Sequence, residues 1–117
     1  MYLQIMEQIK HRIAIGDWQP GDEIPSIRQL AIGLRVSLIT IKRAYLELER
    51  EGVIVTHHGK GSTVAPAPNL RPRLYDEELA HHIEEAARIG SLLGIDDEEL
   101  GQRLADAAKR LKEELHD

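Results

Sequence analysis

Ser37, Thr40, Lys42 and Arg43 place two hydroxyls and two cations within two turns of an apparent helix start. Such groups bind phosphate oxygens and base edges. A second cluster follows at His57-His58-Gly59-Lys60-Gly61, where imidazoles and an ammonium stand among glycines that let backbone approach a phosphate or a minor-groove floor. Other chemistry is poorly served. Gly59-Lys60-Gly61-Ser62 has the letters of a phosphate-cradling loop but lacks its earlier Gly and its Lys-Ser/Thr order, and it sits in a hairpin instead of before a helix. His57-His58 offers at most two ligands with no Cys nearby, whereas structural zinc takes four, so neither a metal nor a cofactor is expected. His81-His82 is given no role. The acid pairs Glu77-Glu78 and Glu84-Glu85 and the run Asp96 to Glu99 fall near helix starts or on polar faces, where dipole complementarity and solubility account for them. No nucleophile with a base stands out, and no catalytic residue is assigned.

These clusters need elements to hold them. Leu3, Ile5, Met6, Ile9 and Ile13 recur at helical spacing, so residues 2–15 read as an amphipathic helix that Gly16 ends. Pro20-Gly21 marks a turn. Ser26 with Gln29 has the form of a capping box and opens a helix from Ile27 to Leu34, with Ile27, Leu30, Ala31 and Leu34 inward. Ser37 caps a third helix, in which Ile41, Ala44, Tyr45 and Leu48 face the core up to Gly52. Two short helices with so tight a joint suggest a helix-turn-helix. The β-branched runs Val53 to Thr56 and Ser62 to Val64 flank the five-residue glycine loop and read as a hairpin. A hairpin behind a helix-turn-helix is a winged helix, whose loop is the wing.

Ala65 to Pro72 carries three prolines in eight residues and reads as an extended connector, not a helix. The expected organisation is a domain at 1–66, a Pro-rich linker at 67–75 and a two-helix region at 76–117. Asp76 would cap the fourth helix, and Asp96 with Glu99 the fifth. Leu79 and Ile83 on one helix, and Leu100, Leu104, Ala108, Leu111 and Leu115 on the other, form apolar stripes. Two tethered helices cannot cover such stripes alone, so a second copy of the chain is the simplest partner. The fold class expected is mostly α: three helices and a hairpin wing, then two dimerisation helices.

Composition narrows the function further. At 117 residues the chain suits one small domain with an accessory element, and 42% hydrophobic residues put it in the globular range. Zero Cys fits a reducing compartment, giving a cytoplasmic expectation. No apolar run approaches the roughly 18 residues of a membrane span, and the start MYLQIMEQIKHR lacks the order of a signal peptide. The net charge of −5 conceals an asymmetry: residues 1–66 hold 8 Lys/Arg against 7 Asp/Glu, and residues 67–117 hold 7 against 13. From Pro25 to Ser62 there are 6 basic residues against 3 acidic ones. A basic face on a nearly neutral module is therefore available.

The run from Tyr2 to Val64 resembles the N-terminal winged-helix domain of GntR-family transcription regulators. PGDEIPSIRQLA, VS-x-x-T-I, AYLELEREG and the GKGS-x-V wing stand in family order and spacing. The short remainder is similar to the YtrA-type subgroup, whose C-terminal part dimerises. The resemblance implies a homodimeric DNA-binding regulator, most simply a repressor, on a palindromic double-stranded operator. It places Arg28, Ser37, Thr40 and Lys42 at DNA-contacting positions of the helix-turn-helix, and His58, Gly59, Lys60 and Gly61 at wing contacts. One departure stands out: where the family usually has Arg or Pro after the motif Ser, this chain has Leu38, followed by Ile39 in place of a polar residue. Either the exposed Leu38-Ile39 pair meets a thymine methyl, or Leu38 packs sideways within the module. The rival reading is a winged helix that meets an acidic protein, although such interfaces favour aromatic anchors and only Trp18, Tyr2, Tyr45 and Tyr75 are present. No effector pocket, operator sequence or regulated gene is legible.

Overall fold

The computed structural model describes residues 1–115. Five helices and one hairpin follow in order: α1 (Tyr2–Ala14), α2 (Ile27–Leu34), α3 (Leu38–Arg50), β1 (Ile54–His57), β2 (Gly61–Val64), α4 (Leu70–Leu93) and α5 (Asp97–Leu115). The chain divides into two compact units after Glu78.

In the first unit the helical spacing is realised as a shared core. Ile5, Met6, Ile9 and Ile13 of α1 meet Ala31 of α2, and Ile41, Ala44, Tyr45 and Leu48 of α3. Val53, Ile54 and Val64 close the core from the hairpin side. Leu3 and Leu34, expected inward, are exposed instead. Leu3 lies at the open start of α1, and Leu34 edges a cleft that Ile5, Ile9, Trp18 and Leu30 also line. The antiparallel ladder pairs Ile54 with Val64 and His57 with Gly61, leaving residues 58–60 as the loop. The stretch before α2 adds a partial third strand: Glu23 bridges Thr63, and the Ile24 amide donates to the Ser62 carbonyl at 3.1 Å. The wing is thereby tied to the segment that launches the helix-turn-helix.

The linker expectation is corrected. Residues 70–75 are helical, and α4 starts at Leu70 instead of being capped by Asp76, which lies inside it. Pro72 falls in the first turn, where its missing N–H would have had no intrahelical partner and its fixed φ suits the helix. Packing holds this turn in place: Leu70 and Leu74 are buried in the core of the first unit. Arg71 Nε donates to the Ala14 carbonyl at 3.0 Å, and Arg73 donates to the Glu51 carbonyl at 3.1 Å. These cations satisfy carbonyls at the C-terminal ends of α1 and α3, where the helix dipole favours positive charge. Lys10 adds an ion pair to Glu51 at 2.7 Å and reaches Glu77 at 3.6 Å.

In the second unit, α4 ends in a Schellman motif. The Ile95 amide donates to the Gly90 carbonyl and Gly94 takes φ 77°. Glu99 N donates to Asp96 Oδ1 at 2.8 Å, the cap expected for α5. Gly90 is buried where a Cβ would meet Ile95 and Leu100 at 3.4–3.5 Å, so α4 and the start of α5 approach closely there. Leu100 is half-buried, whereas Leu79, Ile83, Leu104, Ala108, Leu111 and Leu115 are exposed.

The same Schellman pattern closes α2, but the left-handed position holds Arg35, at φ 56°. It is the one non-glycine residue with positive φ among the described residues. An L side chain there costs roughly 1 kcal/mol relative to glycine. Arg35→Gly is therefore expected to raise stability by up to about 1 kcal/mol, read as a higher midpoint in urea at unchanged slope.

Candidate nucleic-acid interface

The helix-turn-helix is formed by α2, a tight turn and α3. Ser26 Oγ accepts from the Gln29 amide at 3.0 Å while Gln29 Oε1 accepts from the Ser26 amide at 3.0 Å, a complete capping box. Tyr45 sets how α3 sits against this start, since its hydroxyl donates to the Pro25 carbonyl at 2.5 Å. Burial pushes the Tyr45 phenol up to about 12 from its usual 10. The folded chain thus keeps a proton that the unfolded chain releases above pH 10, so stability is full below that pH and falls between about pH 10 and 12. Urea midpoints at pH 9 and pH 11.5 should show this loss, and Tyr45→Phe should remove this component while costing about 1 kcal/mol at neutral pH.

At the start of α3, Ser37 Oγ accepts from the Thr40 amide at 3.2 Å and shares a 2.8 Å hydrogen bond with Thr40 Oγ1. The two hydroxyls thus hold one another in fixed orientation. Leu38 and Ile39 point outward, 45% and 79% exposed. Lys42 is exposed and makes no ion pair among the described residues. Arg43 is differently engaged: its guanidinium lies 4.5 Å from the Tyr2 ring centroid and its Nε is 3.4 Å from Glu47 Oε1. Arg43 is thus an oriented cation. Nothing in the local sequence around Arg43 signals the stacking, because Tyr2 comes from a distant segment of chain.

Arg28, on the first turn of α2, is exposed and makes no ion pair among the described residues. In the wing, His57 Nε2 and Thr63 Oγ1 lie 2.9 Å apart, so this imidazole is occupied across the hairpin. His58, Gly59, Lys60 and Gly61 remain exposed, with the Lys60 amide closing the turn onto the His57 carbonyl at 3.0 Å. Lys60 and Gly61 share a hollow of about 250 Å³ with Ser26 and Gln29, which brings the wing beside the start of α2. Two groups result: the wing with the α2 start, and the first turns of α3 with Tyr2. Among the described residues no cluster of His, Asp or Glu has the makings of a metal site.

Helix-turn-helix, wing and exposed cations together define a winged helix-turn-helix DNA-binding module. The comparisons agree: the family model described as "Bacterial regulatory proteins, gntR family" matches residues 1–64, and the chain belongs to that family. It is 35% identical over 100 residues to the HTH-type transcriptional regulator YhcF of Bacillus subtilis, covering 86% of this chain and 83% of that protein. It is 42% identical over 65 residues to the HTH-type transcriptional repressor YtrA of Bacillus subtilis, covering 56% of this chain and 50% of YtrA. Among solved structures, a GntR family transcriptional regulator from Listeria monocytogenes superposes with TM-score 0.78 at 31% identity, covering 90% of this chain and 92% of that one. AraR(DBD) in complex with operator ORR3 superposes with TM-score 0.53 at 33% identity, covering 55% of this chain and 77% of that one. The chain is thus a GntR-family transcriptional regulator with a DNA-binding domain, and neither the family nor these relatives are enzymes. No described helix is long and apolar enough to cross a membrane.

Proposed function

We propose that the chain acts as a cytoplasmic homodimeric repressor that binds an inverted-repeat operator, each copy placing the start of α3 in a major groove and its wing on the flanking phosphates or minor groove. The observation that carries this reading is that Arg28, Lys42 and Lys60, at the helix-turn-helix and the wing, are exposed and make no ion pair among the described residues, in a chain that is acidic overall. Elsewhere in the first unit, Lys10, Arg50 and Arg73 are tied to carboxylates. Exposed cations beside the N-terminal turns of two helices suit phosphate oxygens, with Ser37 and Thr40 offering hydroxyls between them. Leu38 and Arg43 complete the contact surface, Leu38 toward bases and Arg43 toward the backbone. His58 with Gly59 and Gly61 allows close passage of the wing over the sugar-phosphate chain. The repressor role rests on the name borne by YtrA, and the two-copy arrangement on the exposed leucines of α4 and α5.

Selection of duplexes from a random pool, followed by titration at several salt concentrations, tests the reading. Binding should weaken steeply with salt, the logarithm of affinity falling by about 0.9 per phosphate neutralised. Lys60→Ala should weaken all selected duplexes similarly, by several-fold, and reduce the salt slope by about 1. Affinity independent of salt, or no duplex selected at all, would instead favour a winged helix that engages protein.

A further inference from the structure

We propose that α3 reads thymine through its C5-methyl group, using Ile39 with Leu38 beside it; the inference rests on the DNA-binding reading above. Ile39 is 79% exposed and Leu38 45% exposed, both in the first turn of α3. That turn is the part of the helix otherwise furnished for nucleic acid, with the paired hydroxyls of Ser37 and Thr40 before and after them and Lys42 one turn on. An aliphatic pair there can neither donate nor accept a hydrogen bond.

The surroundings of Ile39 give this pair a shape. Together with Met1, Tyr2, Thr40 and Arg43 it lines an open hollow of about 340 Å³. One wall is the isoleucine. One turn further along α3, the Arg43 guanidinium lies over the Tyr2 ring at 4.5 Å and also lines the hollow. A cationic rim with an aliphatic wall matches a backbone phosphate at the rim and an apolar group on the base beside it. In the major groove thymine alone among the four bases presents such a group, its C5-methyl. Selectivity also works by exclusion. The N7 and O6 acceptors of guanine, or the exocyclic amine of cytosine, pressed against Ile39 would lose water and gain no partner.

Deoxyuridine differs from thymidine by that methyl alone and leaves base pairing intact. Duplexes selected by the full chain would have each thymine replaced in turn by deoxyuridine, symmetrically in both half-sites, and be titrated against the protein. Removing one buried methyl should cost roughly fourfold, so symmetric replacement at the position facing Ile39 should weaken binding by about tenfold or more. At other thymines the change should be slight. Ile39→Ser should bring the thymine-to-uracil ratio at that position to about one, while Ile39→Val should keep part of it. Equal affinity for thymine and uracil duplexes at every position would overturn methyl reading and leave DNA binding standing. A ratio untouched by both Ile39→Ser and Leu38→Ser would overturn the assignment to these residues. Failure to select any duplex would overturn the DNA-binding reading and this inference with it.

Discussion

Replacing Leu104 and Leu111 together with Asp is expected to leave the chain folded but monomeric, and to lower its affinity for a two-half-site duplex by about 100-fold or more. Both side chains are more than half exposed on α5, as is Leu115, and no described element covers them. Burying a leucine is worth about 1.5–3 kcal/mol, so a stripe of several repeats can drive association once a second copy is present. A charge there would have to be desolvated without a partner, which reverses the sign of the contribution. The DNA effect is larger than the loss of any one contact. Coupling two reading heads makes the second engagement intramolecular, a gain of about 10²–10⁴ in avidity without any new interaction with the bases. Light scattering would give the mass and titration the affinity. A double variant that retains the mass of two chains would refute the assignment of this face.

Leu74→Ala carries the second large expectation, a loss of about 2–5 kcal/mol in the stability of the winged-helix unit. Leu74 is 2% exposed in the core that α1 and α3 build, although it lies on α4, beyond the hairpin. Truncating it leaves a cavity in a core whose other members, Ile13 and Leu48 among them, are already fully buried. For a unit of this size each kcal/mol shifts the melting midpoint by about 4–8 °C, so the midpoint should fall by more than about 8 °C. The same reasoning ranks two fragments. One ending at residue 78 should melt cooperatively, whereas one ending at residue 66 lacks Leu70, Leu74 and both arginine clamps and should melt lower or not fold. Equal midpoints would show that the first turns of α4 are not part of this core.

That contrast marks where side-chain period stops predicting structure. The bounds of α2, the caps Ser26, Ser37 and Asp96, and the buried set Ile41, Ala44, Tyr45 and Leu48 all follow from local chemistry and were legible in the sequence. Pro66 and Pro68 do lie outside any helix, but Pro72 misled because proline excludes helix interiors and not helix first turns, and the deciding energy at Leu70 and Leu74 comes from residues far away in sequence. Arg35 in a left-handed conformation is invisible for a similar reason, since the residue type argues for any conformation but that one. Within the candidate site, residue types revealed the cations and hydroxyls, but not their engagement. The structure separates Lys42 and Lys60, which make no ion pair among the described residues, from Arg43, held on Tyr2, and His57, held against Thr63. Leu38 is 45% exposed, and Ile39, at 79%, more so.

The central claim is that two copies of the winged helix engage one palindrome, and the mass of the complex on a selected duplex, taken with its footprint, tests it most directly. The account predicts two chains per duplex and two protected segments related by a two-fold axis, their centres one helical turn of about 34 Å, or a multiple of it, apart. One chain per duplex, or a single protected segment without symmetry, would contradict it.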